Sequence, residues 1–367
     1  MKNFRVYEHA ALRFGEQTNV LFGENGAGKT TVLEAIHCLA YTRSFKTHLD
    51  GELIRYETTE AKVGGNFSGD RKNDQRVEMF LSEKQPKHIK VNGALLSSQA
   101  DLIGRIPLVC LAPEDGVVTS GAPADRRRFF DKLFSQVDSV YLQALQQFNR
   151  VLKQRNAQLN DYAVNGTPVN SELLRALDTQ VAKHGAVVQE KRAEYLQKFK
   201  TFVYEIYQEL EREKTFKAAY VPSVKPKAGE TVEAAFQREL EASRPADMRR
   251  GTTTTGIQRD LFLFYLNHQE IRRYGSKGEH KLALVALKFA EGRLLEDYLT
   301  EKPIYLLDDL FAELDIKRSV QIIQSLPEGY QIFITSTDLA DLRQHGMTLE
   351  SEKLTVFDTG KLRDVAA

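Results

Sequence analysis

Three short stretches of this chain hold residue types at spacings that carry chemistry. The first is Gly23-Glu24-Asn25-Gly26-Ala27-Gly28-Lys29-Thr30, which fits G-x-x-x-x-G-K-[ST] and runs on into Thr31. Its glycines let backbone N–H groups converge on an anion, and a helix that starts there adds a favourable dipole. Lys29 is expected to reach the β and γ phosphates of a nucleotide, and Thr30 to offer its hydroxyl to Mg²⁺. The second is Pro303-Ile304-Tyr305-Leu306-Leu307-Asp308-Asp309, an apolar run that ends in two acids. A strand buried in a parallel sheet ends at the sheet's carboxyl edge, where Asp308 is expected to meet the metal beside Thr30. Asp309 is then expected to orient a water and accept its proton, so Lys29, Asp308 and Asp309 form the candidate catalytic set. The third is Tyr274-Gly275-Ser276-Lys277-Gly278-Glu279-His280-Lys281, where Ser276 is a plausible N-cap with Glu279 three residues on, as in a capping box.

These groups act together only if their carriers fold side by side. Thr18 to Phe22 (TNVLF) has the apolar, β-branched character of a short buried strand, and TTVLEAIHCLA from Thr30 spaces Val32, Leu33, Ile36 and Leu39 as a helix does. The glycine loop therefore sits in the strand-loop-helix setting that phosphate binding requires. The run LALVALKFAEGRLLEDYL after Lys281 predicts a long amphipathic helix. From Asp125 to Leu159, apolar residues at 130, 133, 134, 137, 141, 145, 148 and 152 predict one helical face, and a second periodic run, Leu173 to Leu210, returns beside it. Pro222 to Thr255, with VPSVKPKAGE and four consecutive threonines, is the stretch expected to be least structured and a candidate boundary.

Composition narrows the classes. With 367 residues and 42% hydrophobic content the chain can bury a large core. No apolar run is long enough for a membrane span, and Met1 to Ala10 is too polar for a secretion signal, so a soluble, cytoplasmic protein with no membrane partner is expected. Cys38 and Cys110 have no partners at disulfide-framework or metal spacing and read as buried small hydrophobes. Lys plus Arg total 51 against 50 Asp plus Glu, and a net charge of +1 makes no electrostatic case for a polyanion partner.

Order along the chain adds more. A Ser-x-Gly-Glu helix start that precedes the acidic strand resembles the ATP-binding cassette superfamily, in which the serine-glycine signature of one subunit closes over the γ-phosphate held by another. That resemblance implies that Ser276, Gly278 and Glu279 act in trans. Phe311-Ala312-Glu313-Leu314-Asp315 resembles the superfamily's D-loop at the dimer interface, and Gln331-Ile332-Phe333-Ile334-Thr335-Ser336-Thr337 is a strand at the place of its switch loop, with Thr337 at the switch position. The fold class expected is α/β, an ABC-type P-loop ATPase head of the SMC/Rad50-like kind with an inserted, mainly helical lobe. Residues 1–115 and 255–367 would make the discontinuous head and 116–254 the lobe, which is far too short for the coiled-coil arms of chromosome-maintenance ATPases.

The chain also resembles, nearly end to end, the RecF family of bacterial DNA replication and repair proteins. The likeness is carried by Asn3-Phe4-Arg5, the glycine loop with its LEAI helix, Arg43-Ser44-Phe45-Lys46, His88-Ile89-Lys90-Val91-Asn92-Gly93 and Ala112-Pro113-Glu114-Asp115. It continues through GAPADRRRFFD at Gly121 to Asp131, Leu152-Lys153-Gln154-Arg155-Asn156, SKGEHK and LLDDLFAELD. The G-x-P-x-x-R-R block followed by LKQRN is the most specific part. Departures are the start, where only Met1 and Lys2 precede Asn3 and an edge strand is expected to be missing or the start codon mis-set, Gly256-Ile257-Gln258-Arg259-Asp260 in place of a Gly-Pro-His-basic-Asp segment, and Lys277 where many members have glutamine.

The resemblance implies an ATP- and Mg²⁺-dependent DNA-binding protein that recognises gapped DNA at a duplex-to-single-strand boundary. It would form an ATP-induced homodimer around double-stranded DNA and work with RecO and RecR to load RecA. Asp309 is one methylene shorter than the usual glutamate, which predicts slow turnover, and the resemblance implies that DNA stimulates it. Arg126, Arg127 and Arg128, beside Phe129 and Phe130, are candidates for a phosphate clamp, with Arg43, Lys46, Lys153 and Arg155 as similar candidates. The competing expectations are a transporter's ATPase subunit, against which the G-x-P-x-x-R-R block argues, and an ATP-gated dimerisation module without significant hydrolysis.

Overall fold

The structure is a computed structural model that describes residues 1–69, 74–311, 315–326, 328–348 and 353–363. Among these residues the strands in chain order are β1 (Lys2–Phe4), β2 (Tyr7–His9), β3 (Thr18–Phe22), β4 (Glu60–Phe67), β5 (Gln75–Ser82), β6 (His88–Val91) and β7 (Ala94–Leu95). They continue with β8 (Leu108–Leu111), β9 (Phe216–Val221), β10 (Leu261–Leu266), β11 (Gln269–Glu270), β12 (Ile304–Leu307), β13 (Ile332–Ser336) and β14 (Leu354–Asp358). The helices are α1 (Lys29–Tyr41), α2 (Val117–Ser120), α3 (Pro123–Val137), α4 (Ser139–Asn165), α5 (Ser171–Leu210), α6 (Val232–Arg250), α7 (Ile271–Tyr274), α8 (Lys277–Leu299), α9 (Ile316–Gln324) and α10 (Leu339–Gln344).

A wholly parallel sheet in the order β14-β3-β13-β12-β8 forms the centre. Apart from the edge strand β14, whose Val356 is exposed, its strands are short, largely apolar and covered on both faces, as the strands of a parallel sheet usually are. Side chains alternate along each strand, so Val20, Val109, Leu111, Leu307 and Ile334 enter one core while Leu21, Leu108, Cys110, Leu306 and Phe333 enter the other. The second core lies between the central sheet, α1 and a six-stranded antiparallel sheet, β2-β1-β4-β5-β6-β7. There Val77, Met79 and Leu81 of β5 point inward while Arg76, Glu78 and Phe80 alternate with them. Lys2–Phe4 itself forms β1, flanked by β2 and β4. Both cysteines are buried and unpaired, as their isolation in sequence suggested.

The first core extends into the helical lobe. The segment read as one helix from 125 to 159 is two, α3 and α4, because Asp138 takes an extended conformation (φ −142°, ψ 116°). Its carboxylate caps α4 by accepting from the Val140 amide at 2.7 Å, while its own amide closes α3 on the Phe134 carbonyl at 3.0 Å. The break lets Phe130 stack on Phe262 of β10, 4.2 Å between centroids, while α4 lies along α5. Helix α5 matches the expected returning run, and its 40 residues reach about 60 Å. A Cβ at Gly185 of α5 would strike the rings of Phe236 and Phe148, so glycine is what lets α4, α5 and α6 close up.

Two further expectations are corrected. The stretch expected to be least structured holds α6, capped by Thr231, whose hydroxyl accepts from Ala234 N at 3.1 Å, and ended by left-handed Gly251 (φ 65°). Pro245 inside α6 costs a backbone hydrogen bond, but Ala235, Phe236 and Leu240 are fully buried against the lobe and tertiary packing prevails. Helix α8 is not amphipathic. Every residue from Leu282 to Gly292 is buried, because the helix runs between α5, α3 and β8 and serves as a core element of both parts. Strand β9 pairs with β10 over its whole length, from Phe216 opposite Leu266 to Val221 opposite Leu261, so the chain on either side of residue 254 shares one sheet. Among the described residues no helix is long and apolar enough to cross a membrane.

Candidate nucleotide site

Strand β3 delivers the chain to the carboxyl edge of the central sheet, and the glycine loop turns it back into α1. The turn needs left-handed backbone at Gly26 (φ 80°) and Gly28 (φ 105°), and at Gly28 a Cβ would also strike the Tyr7 ring. No acidic residue occupies the first turn of α1, so its positive end is left for an external anion. Glu24, Asn25 and Gly26 form an exposed rim, whereas Ala27 and Thr31 are buried beneath it. Lys29 folds over the loop, its Nζ donating to the carbonyls of Gly23 (2.6 Å) and Glu24 (3.0 Å). Partial burial lowers its pKa, against the opposing pull of Asp308 and Asp309.

The two acids follow β12 on the strand that is separated from β3 only by β13. Thr30 Oγ1 donates to Asp308 Oδ1 at 3.0 Å, which joins the loop to the acidic strand. Thr335, at the end of β13, donates to the same Oδ1 at 2.8 Å and accepts the Asp309 amide at 2.9 Å. One hydroxyl therefore fixes both acids. Burial raises the pKa of Asp308, and the bonds from Thr335 and Thr30 and the charge of Lys46 oppose that rise without cancelling it. Asp309 is exposed and left-handed (φ 52°), and it lies near enough to Lys29 for the two charges to act on each other. Thr30 and Asp308 fit Mg²⁺ by chemistry, being a hydroxyl and a carboxylate with adjacent hard oxygens. Among the described residues no group of three His, Cys, Asp or Glu gathers as an all-protein metal cage, so phosphate and water oxygens would complete such a shell.

Ser276 caps α8 in a full capping box, with its amide donating to Glu279 Oε2 at 2.7 Å and its Oγ accepting the Glu279 amide at 3.3 Å. Lys214, in the connection between α5 and β9, holds the other Glu279 oxygen at 2.7 Å. Burial alone would raise the Glu279 pKa, but Lys214 and the Ser276 donors bring it down to about 2. Of the D-loop segment, Ala312, Glu313 and Leu314 lie outside the described residues; Phe311 is buried and Asp315 caps α9. Thr337 is exposed just beyond β13.

The candidate DNA contacts divide sharply. Arg126 is corrected from a clamp residue to a structural one, since it is buried and donates to the Phe262 carbonyl (2.6 Å) and the Gly121 carbonyl (3.1 Å). Arg155 is corrected likewise, being fully buried between Asp178 (2.7 Å), Asp247 (2.8 Å) and the Thr253 hydroxyl (2.7 Å). Arg127 is half-buried and donates to the Asp260 carbonyl at 3.0 Å. Arg128, Arg43, Lys46 and Lys153 are exposed. Asp260, which ends the divergent Gly256 segment, is a buried acceptor for Arg192 (2.8 Å), Tyr220 and the Ser223 amide (2.8 Å).

Besides Thr335, sequence reasoning missed the assembly around Glu34. Arg5 forks onto this buried carboxylate of α1 at 2.9 and 2.7 Å, and Ser44 donates to it while accepting the amides of Lys46 (2.8 Å) and Thr47 (3.1 Å). The signal was a glutamate in an otherwise apolar helix, which calls for a buried partner.

The profile of the RecF/RecN/SMC N-terminal domain matches residues 1–353. A DNA replication and repair protein RecF of Streptococcus gordonii is 33% identical, over 94% of this chain and 93% of the relative. That of Ligilactobacillus salivarius is 32% identical, over 99% and 96%. Among solved structures, that of the recombination mediator protein RecF with ATP, in the RecFOR pathway, is 30% identical with a TM-score of 0.87, covering 98% of this chain and 94% of that one. An Smc head domain derived from Pyrococcus furiosus has a TM-score of 0.53 at 14% identity, over 94% and 89%, a likeness of fold alone.

Proposed function

The chain belongs to the RecF family of DNA replication and repair proteins, and from that premise we propose that it is an ATP-gated homodimer that grips DNA at gaps and releases it on hydrolysis. The observation that carries this reading is the hydrogen-bonded set Thr30, Asp308, Thr335 and Asp309, closed around the mouth of a glycine loop. ATP sits with its phosphates on the loop amides from Gly23 to Thr31, and Lys29 turns from the loop carbonyls to the β and γ phosphates. Thr30 and Asp308 would hold Mg²⁺, which when bound neutralises charge between the β and γ phosphates. Asp309 orients the attacking water and takes its proton. A second copy closes the open face with Ser276 and Gly278.

The head in this reading comprises residues 1–115 and 255–367 and the lobe 116–254, with Phe311 to Asp315 as the interfacial D-loop. Duplex DNA lies in the groove of the dimer, contacted by Arg128, Lys153, Arg43 and Lys46. RecO and RecR are the partners through which RecA is loaded. The short side chain of Asp309 keeps turnover slow, which suits a timer.

Two measurements on one preparation test this: binding to gapped and to blunt duplex with and without ATP, and phosphate release with and without DNA. ATP-dependent preference for gapped DNA with slow, DNA-stimulated release is expected. Release that ignores DNA, with no ATP-dependent binding, would overturn the reading. ATP-dependent dimerisation with no release at all would favour a dimerisation module.

A further inference from the structure

Helix α9 follows the D-loop segment, and its third residue, Arg318, reaches back to α8 rather than to solvent. Its guanidinium occupies the place that a Cβ on Gly278 would take, so it lies directly on the signature glycine. The side chain is only 29% exposed and is steadied by Asp315, whose carboxylate is 3.6 Å from NH1 and also accepts the Arg318 amide at 2.9 Å. Gly278 is the second residue of α8, so the cation rests on the positive end of a helix dipole. The Lys214 ammonium is near enough to feel Arg318 as well. Glu279 neutralises Lys214 at 2.7 Å, and Asp315 only partly offsets Arg318. A guanidinium set against a helix N-terminus is mutually repulsive until an anion lies between them, and the fork of an arginine suits phosphate oxygens.

We propose that Arg318 is a catalytic residue acting in trans, donating to the γ-phosphate of the nucleotide held on the glycine loop of the other copy. It stands there beside Ser276 and Gly278 of its own chain and neutralises the charge that grows as the phosphoryl group transfers. The bond that forms joins the water oxygen to the γ-phosphorus, and the bond that breaks joins that phosphorus to the β–γ bridging oxygen. The water proton passes to Asp309 of the copy that holds the nucleotide, ADP leaves with the bond pair, and Arg318 exchanges no proton. This deepens the composite-site reading above and rests on it.

The test uses full-length chains and complementation. Lys29→Ala copies supply an intact Arg318 but no nucleotide, and Arg318→Ala copies supply a nucleotide but no guanidinium. Each alone is expected to release phosphate about 100-fold more slowly than wild type. Mixed, they should recover release, because the one competent site of a mixed dimer has ATP on one copy and Arg318 on the other. Arg318→Lys, which keeps the charge without the fork, should hydrolyse at an intermediate rate, and it serves as the working variant if Arg318→Ala folds poorly. ATP binding by the monomers of both Arg318 variants should match wild type.

A mixture that stays as slow as its components, or Arg318→Ala within about threefold of wild type, overturns the assignment. Wild type that remains monomeric in sedimentation with ATP brings down the composite site itself, and the assignment with it, before any variant is compared.

Discussion

Thr335 shows how one hydroxyl decides the state of two acids. It donates to Asp308 and accepts from the amide of Asp309, so its removal both loosens the turn and takes a donor from a buried carboxylate. Burial already raises the Asp308 pKa, and the Thr335 bond is the first influence that lowers it. Thr335→Val should therefore raise that pKa further. The ionised form is the one needed, so the acid limb of the hydrolysis profile should move to higher pH, with a larger loss at pH 6 than at pH 8. A rate lowered equally at all pH values would contradict this. At this scale the sequence was legible where spacing alone marks a residue, as with Lys29, Thr30 and Asp308, which the structure brings to one sheet edge. It was illegible where contact depends on register. Thr335 lies within β13 and Thr337 just beyond its end, and only the pairing of Thr335 beside Leu21 selects the one that meets Asp308.

Among the elements, the start of α8 bears most directly on the site. The capping box of Ser276 and Glu279 and the Lys214 ion pair hold Glu279 at a pKa of about 2, below its ordinary 4.5. A depressed carboxylate pKa contributes stability that is present above the unfolded value and lost as pH falls through the folded one. Glu279→Gln should thus be less stable than wild type by about 1 kcal/mol at pH 7, and the difference should shrink as pH falls from about 4.5 toward 2. Urea midpoints across that range check it, and a difference that persists at pH 2 would exclude the ion pair as its source. The start of α8 was readable, because its capping box is local chemistry. The interruption at Asp138 was not, since the apolar spacing carries on across it, and α6 was hidden by the proline and threonines around it. The full burial of α8 was also invisible in a helix that carries Lys288 and Glu291, which lie 3.6 Å apart in the interior.

For the whole molecule, basic residues in the lobe divide into those that build it and those free to meet a polyanion. Arg155 lies at the junction of α4, α5 and α6 between Asp178 and Asp247, so Arg155→Ala takes the guanidinium from the fully buried Asp247 and leaves Asp178 to Arg244, 3.0 Å away. A loss of about 3–5 kcal/mol in unfolding free energy is expected, read by urea denaturation. Arg128→Glu, on an exposed side chain, should leave the urea midpoint nearly unchanged and lower the steepness with which DNA affinity falls with salt. Equal destabilisation by both changes would refute the division. Net charge could not separate these classes, because the buried arginines count in it as fully as the exposed ones.

The order of the central sheet sets a schedule as well as a shape. Strand β3, which carries the glycine loop, is flanked by β13 and β14, and both are made some 300 residues later. At a synthesis rate of about 5–20 residues per second the loop waits roughly 15 to 60 seconds without the strands that frame it. A nascent chain can bury the antiparallel sheet against α1 in that interval, yet it has no Asp308, Thr335 or Ser276 with which to complete a nucleotide site. In the proposed composite-site dimer, competence to pair would therefore arrive only with the last strands, and unfinished neighbours on a polysome would lack the surfaces to pair through.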